Sequence, residues 1–300
     1  MPVTVKTFAT SGEAAAALSS ERDARYLGGG TLVMRALNEG DLSVSTVVRA
    51  TDRGLTQLDI ASFRITIGAG VTFARVLAER ELGFLHPVAG SIGGPAVRNM
   101  GTIGGNLFAP TPFGDFAVAM LALDATVSVQ GGYGARDAPI EEFLAGRDRL
   151  PGALVLSISC QRPSSADAFR YRKIARIKPK GGSVVTLATH LPTSGGRIVG
   201  ARIALGAMAA TPVRAKAAER ALEGRVRDGR DFAGQRFARQ RLVSARGCRR
   251  PSAPPAYRPG LRKARWPRPP CNFVITAAMS PSSSMAASIC WPPCAISSAI

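Results

Sequence analysis

The sequence has no uninterrupted apolar run of the roughly 18 residues that a membrane-spanning helix needs. Histidine occurs only twice, at His86 and His190, and neither stands among cysteines or carboxylates at metal-ligand spacing. Of the five cysteines, Cys160 lies in an apolar run and is read as core, while Cys248, Cys271, Cys290 and Cys294 fall near the C-terminus. "CWPPC" has three intervening residues where a redox C-x-x-C has two. A metal or iron–sulfur site within this chain is therefore not expected. No G-K-S/T is present, which excludes a Walker phosphate loop, and a G-x-G-x-x-G begun at Gly28 fails at Val33. No nucleophile or acid pair is placed for hydrolysis, so no catalytic residue is assigned. The N-terminus lacks a basic region followed by an apolar one, and Glu13 interrupts "SGEAAAALSS", so the expected location is cytoplasmic.

Acidic residues are missing from Phe232 to Ile300 altogether. The formal net charge is +19, and the residues after 224 carry +12 of it, from 14 basic and two acidic side chains. The basicity thus belongs to a Pro- and Ser-broken tail, "RGCRRPSAPPAYRPGLRKARWPRPP" and beyond, whose composition predicts disorder. Such a tail could bind RNA or an acidic partner, and an out-of-frame translation of a GC-rich gene has the same bias. Both readings stay open, and nucleic acid is not the expected partner of the rest.

What remains is patterned, and its length suits about two ordinary domains. Over 1–55, strand and helix signals alternate: "VTVKTFA", a helix "SGEAAAALSS" with Ser11 as N-cap, "ARYLGGG", a helix "TLVMRALNEG" closed by Gly40, and "STVVRA". A second unit, 56–162, holds a strand at 64–70 and an amphipathic helix at 72–83, capped by Thr72 and ended by Gly83. A glycine-rich passage at 86–115 without regular pattern follows, then an apolar helix at 116–125 and strands at 126–130 and 153–160. A third unit, 163–224, reads as strands ("AFRYRKI", "SVVTLATHL", "IVGARIALGAM") and a helix "PVRAKAAERALEG" with Glu219 on its wet face. The expected class is α+β: a small βαβ-type subdomain, a larger mixed α/β subdomain and a small α+β C-terminal domain, before the tail 225–300.

Two segments, "GGGT" at 28–31 and "GTIGGN" at 101–106, offer consecutive amides without side-chain obstruction, as a pyrophosphate requires. One such loop alone is better read as a tight turn. Two of them, with a long glycine-rich passage, favour an extended phosphate-bearing ligand such as a dinucleotide.

"YLGGGTLVMRAL" and "AGSIGGPAVRNMGTIGGNLFAPTPFGDFAVAMLALDA" resemble the two flavin-binding segments in FAD subunits of the xanthine dehydrogenase and carbon monoxide dehydrogenase family of molybdenum hydroxylases. The resemblance runs over 1–224. "FRYRKIARIKPKGGSVVTLA" is similar to the entry of that family's C-terminal domain. It implies FAD as cofactor, with Gly28, Gly29, Gly30 and Thr31 contacting phosphates and Thr102, Ile103, Gly104, Gly105 and Asn106 in the second contact segment. Asp115 matches a family aspartate that hydrogen-bonds the cofactor, and its place before an apolar helix equally suits an N-cap. Where the family has A-G-G-x-S/D, Leu27 replaces the alanine and Gly30 fills the variable position. Lys178 and Lys180 lie near where some relatives place a residue over the flavin, and are read as solvated charges. The resemblance further implies a small subunit with two 2Fe-2S clusters and a large molybdopterin subunit, in a heterotrimer or its dimer. Electrons would pass from substrate through the clusters and FAD to NAD+, a quinone or oxygen. A flavin-free scaffold in the same subunit position is the alternative.

Overall fold

The computed structural model describes residues 3–131, 134–150, 152–177 and 181–227, together with strands at 275–278 and 286–289. The chain divides into two units, Met1–Arg227 and Asp228–Ile300.

The first unit opens with β1 (Thr4–Phe8), α1 (Ser11–Ser20), β2 (Ala24–Tyr26), α2 (Val33–Asn38) and β3 (Thr46–Ala50). The three strands form a parallel sheet ordered β1-β3-β2, with β3 central because two helical crossovers place it there. The N-cap of α1 is Thr10 rather than Ser11. Thr10 has extended backbone angles, its hydroxyl accepts from Glu13 N at 3.2 Å, and Glu13 closes a capping box. Ser11 N instead donates to Asp52. Ala14, Ala15 and Leu18 of α1 pack on Ala24 and Val48.

The next elements are β4 (Leu58–Ile60), β5 (Arg64–Gly68), α3 (Phe73–Ala78), a 3-10 stretch Arg80–Leu85, α4 (His86–Ser91), α5 (Pro95–Met100), α6 (Ile103–Leu107), α7 (Asp115–Ala122), β6 (Thr126–Gly131), β7 (Gly134–Pro139), α8 (Ile140–Gly146) and β8 (Leu154–Gln161). Strands β4-β5-β8-β6-β7, in that order, make an antiparallel sheet. Thr72 caps α3 as expected, accepting from Arg75 N. Gly83 does not end that helix: α3 stops at Ala78, and Gly83 lies inside the 3-10 stretch that runs into α4. The passage expected to lack pattern is three short helices, two started by Pro in the first turn and one by a Thr cap.

β9 (Phe169–Ala175), β10 (Ser183–His190), β11 (Thr193–Ser194), β12 (Arg197–Ile198), β13 (Arg202–Gly206), β14 (Val213–Arg214) and α9 (Lys216–Leu222) complete this unit. β14-β13-β10-β9 form a four-stranded antiparallel sheet, and β11 pairs with β12. All eight residues of α7 are buried between this sheet and the core of the five-stranded one. Glu219 is not on a wet face. It is buried, its carboxylate takes both Arg214 Nε and Nη2 at 3.0 and 2.7 Å, and it accepts from Ile203 N at 2.8 Å. This fork is the geometry that makes an arginine–carboxylate pair tolerable inside a protein.

In the second unit β15 (Ile275–Ala278) and β16 (Ala286–Ile289) pair antiparallel. The remaining expectations for the tail, and those for Lys178 and Lys180, lie outside the described residues.

Candidate functional site

The two glycine segments touch. A Cβ on Gly28 would sit 2.9 Å from Thr102 Oγ1, and one on Gly29 would overlap the Met100 carbonyl. Gly30 has φ of +73°, which other residues rarely adopt. Glycine is therefore required at 28 and 29 for backbone approach, and at 30 for chain direction. Leu27 N is held by Val48 O at the end of β2, which leaves the following residues to leave the sheet as a loop. The amides of Gly28, Gly29, Gly30 and Thr31 have no acceptor among the described residues, and the Thr31 hydroxyl has no partner there.

The second segment behaves differently. Thr102 caps α6 by accepting from Gly105 N at 3.2 Å and forms an isolated bridge with Thr72. Ile103 N donates to Val71 O at 3.0 Å, Gly104 N to Ala69 O at 2.9 Å, and Asn106 N to Thr102 O at 3.1 Å. The row of bare amides expected at 103–106 is thus already matched with acceptors inside the chain. Ile103 is fully buried in the core. Gly104 is glycine because a Cβ would come within 2.6 Å of Ala69 Cβ. Gly105 is exposed, but its amide and carbonyl are taken by Thr102 Oγ1 and Phe108 N, so the polar group that half-buried Asn106 offers outward is its carboxamide. Asn106 Oδ1 accepts from Phe116 N at 3.0 Å, and its Nδ2 has no partner among the described residues.

Asp115 is not the N-cap of α7. Gly114, at φ +92°, holds that position and Asn106 supplies the capping oxygen, which leaves Asp115 as the first helical residue. Its buried carboxylate faces the four-stranded sheet. Oδ1 accepts from Ser183 Oγ at 2.8 Å and Thr186 Oγ1 at 2.7 Å, and Oδ2 pairs with Lys173 Nζ at 2.6 Å. Lys173 also donates to Ser91 O at 3.2 Å, and Ser91 Oγ meets Tyr171 OH at 3.0 Å. Burial and the neighbouring Asp115 charge push the Tyr171 phenol up, so it stays a neutral hydrogen-bonding group. Lys173, Ser183 and Thr186 were invisible as partners in the sequence, because they meet Asp115 only through the packing of α7 on β9 and β10.

Two arginines bracket the second segment, and neither was singled out by the sequence. Arg98 Nη1 donates to Gly93 O at 2.6 Å. Arg147, just after α8, donates to the carbonyls of Leu107 and Ala109. In the sequence Arg147 reads like its neighbour Arg149; only burial separates them.

An extended anionic cofactor fits this arrangement in one place. The pocket beside Asp115 and Arg147 has about 10 Å³ of space, room for one water. A larger cleft of about 310 Å³ is lined by Arg136, Glu142, Phe143 and Arg149 and by none of the candidate residues. The 28–31 amides and the Asn106 carboxamide lie instead on an open surface, where Leu32, Met34, Val97 and Met100 are partly exposed around the glycines. Unpaired donors beside apolar side chains suit a ligand with a charged middle and flat aromatic ends.

Comparison with known proteins agrees. The family described as "FAD binding domain in molybdopterin dehydrogenase" matches residues 3–160, and "CO dehydrogenase flavoprotein C-terminal domain" matches 170–261, past the residue at which regular patterning stops. The chain is 29% identical over 224 residues to the xanthine dehydrogenase FAD-binding subunit of Escherichia coli O157:H7, covering 71% of this chain and 76% of that one. It is 30% identical over 220 residues to the carbon monoxide dehydrogenase medium chain of Afipia carboxidovorans, covering 69% and 74%. Among solved structures, quinoline 2-oxidoreductase from Pseudomonas putida 86 superposes with a TM-score of 0.68 at 26% identity, covering 76% of this chain and 82% of that one. Carbon monoxide dehydrogenase from Hydrogenophaga pseudoflava shares the fold, with a TM-score of 0.68 at 23% identity over 77% and 83%. Two touching glycine segments, an α+β frame that holds them and these matches lead to one conclusion: the chain belongs to the FAD-binding subunits of the molybdopterin dehydrogenase family, an oxidoreductase component whose cofactor is FAD.

Proposed function

We propose that this chain is the electron-transfer subunit of a molybdenum-containing hydroxylase, receiving electrons from 2Fe-2S clusters on a small partner and delivering them to an acceptor. FAD, when bound, supplies a centre that takes up two electrons and exchanges them singly. The chain's own part is binding and orientation. Gly28–Thr31 direct four amides and a hydroxyl toward the pyrophosphate, and Asn106 offers its carboxamide Nδ2 from the facing turn, where Gly105 adds no side chain to obstruct it. Asp115 belongs to the frame beneath them, since its oxygens already hold α7 to β9 and β10. Relatives named as FAD-binding subunit and medium chain support a complex with a small 2Fe-2S subunit and a large molybdopterin subunit, as a heterotrimer or its dimer. Substrate hydroxylation would then take place on the large partner. The division into 1–55, 56–162 and 163–224 belongs to the same reading, as does a cytoplasmic location. Among the described residues no helix is long and apolar enough to cross a membrane.

The observation that carries this proposal is the run of unpaired amides at 28–31, packed against the turn begun by Thr102. Purified full-length chain titrated with FAD is expected to bind it, read by flavin absorbance and fluorescence. ADP, which keeps the pyrophosphate, should compete, and riboflavin, which lacks it, should not. A chain that leaves excess FAD unbound overturns the reading and favours a flavin-free scaffold.

A further inference from the structure

Arg147 is a buried cation without a buried counter-ion. Its side chain is 5% exposed, and the nearest carboxylate among the described residues, Asp148, is 86% exposed and 3.8 Å from Nε. Nη1 donates to Leu107 O and Nη2 to Ala109 O at 3.1 Å, while Nε is buried with no hydrogen-bond acceptor among the described residues, the Asp148 carboxylate lying beyond hydrogen-bond reach. Leu107 is the last residue of α6 and Ala109 lies just past its C-cap Phe108, at the end where helix carbonyls otherwise lack donors and where the helix dipole favours a cation. A guanidinium taken out of water for two neutral carbonyls is a costly way to cap five residues, and an apolar side chain in the same space is often as stable. What the arginine adds is geometry. Its planar fork fixes two carbonyls, two residues apart, to one point just after α8. The segment so fixed begins at Thr102, which meets Gly28, and contains Asn106, whose Oδ1 holds the start of α7.

We infer that Arg147 is a positioning residue for the cofactor: from the end of α8 it clamps the C-terminal end of α6, and so holds the Thr102–Asn106 turn in register with the Gly28–Thr31 loop that grips FAD. This rests on the reading under Proposed function. Among the described residues the side chain donates to no candidate contact residue and acts through the Leu107 and Ala109 carbonyls.

The test compares R147A and R147K with V127A, a cavity variant at a fully buried β6 position, all in the full-length chain. FAD affinity by fluorescence titration and melting temperature without FAD are measured for each. R147A is expected to bind FAD about tenfold or more weakly, as misplacement of a supporting group does. R147K, a point donor that reaches one carbonyl, should fall between, and V127A should stay within about twofold of the parent despite its lower melting temperature. Millimolar guanidinium, with sodium chloride as control, should restore part of the affinity of R147A. R147A binding as tightly as the parent overturns the inference, and so does V127A losing as much affinity as R147A. If R147A does not fold, R147K decides: weaker FAD binding at an unchanged melting temperature supports the clamp, and unchanged binding overturns it. A parent chain that binds no FAD sinks the underlying reading together with the inference, whereas a parent that binds while R147A is unaffected sinks the inference alone.

Discussion

Asp115 carries the clearest residue-scale consequence. Its carboxylate and the Lys173 ammonium are both largely buried, at 7% and 13% side-chain exposure, and two hydroxyls complete the site. Removing one member of such a pair leaves the other charge buried without compensation. D115A is expected to cost about 3–5 kcal/mol, measured by urea unfolding. D115A with K173M should recover part of that loss, because the uncompensated charge is then gone. A role confined to cofactor contact would instead leave stability without FAD unchanged. The sequence offered Asp115 as cofactor contact or N-cap. It could not choose among cap, ligand and tie, since that depends on what α7 packs against. The same blindness covers Glu219, which helical spacing put in water and Arg214 holds inside. It also covers Arg147 and Lys173, because a buried cation and a solvated one are the same letter in a sequence.

Among the elements, those with a strong periodic signal were legible: α7 because it is apolar on every side, and β5, β6 and β8 because they alternate or run apolar. β7 and α8 were not seen, since "GARDAP" is a polar sheet edge that burial does not mark. The 86–115 passage was expected to lack regular pattern, and its structure was illegible in the sequence. Its helices are five or six residues long, too short for periodicity, and caps and prolines set them instead. The glycines were found, but only part of the reason for them was. The sequence read these glycines as bare amides, and the amides of 28–31 do lack acceptors among the described residues, whereas Gly29 and Gly104 are also glycine because another backbone or side chain occupies the Cβ position. G29A should therefore unfold more easily even without FAD, by at least about 2 kcal/mol, because a Cβ there forces the loop off the Met100 carbonyl. Thermal melts of FAD-free protein check this. An unchanged melt would mean that Gly29 serves the ligand alone.

At the scale of the whole molecule, half-buried His190 and buried Cys160 act on the pH dependence of stability from opposite sides. His190 lies at the end of β10, where burial and the Arg202 charge lower its pKa below the usual 6.5, against a weaker pull from Asp124. The folded state therefore favours neutral imidazole. Its contribution is complete above the unfolded pKa near 6.5 and is lost as pH falls through the lower folded value. Cys160 on β8 is the reverse case: burial pushes its thiol up to about 12. Its contribution is complete below the unfolded value of about 8.5–9 and drains away as pH climbs toward 12. Urea unfolding of the FAD-free chain from pH 5 to 11 should give a plateau between roughly 6.5 and 8.5, with losses on both sides. H190Q should make the acid limb shallower and leave the alkaline limb unchanged, while C160A should do the opposite after its own uniform loss from the small cavity it creates. An acid limb equally steep in H190Q would place the responsible proton elsewhere. The two groups sit on different sheets, β10 and β8, that both pack around α7. Independent responses of the two limbs would therefore mean that the sheets titrate as separate parts of one cooperative core.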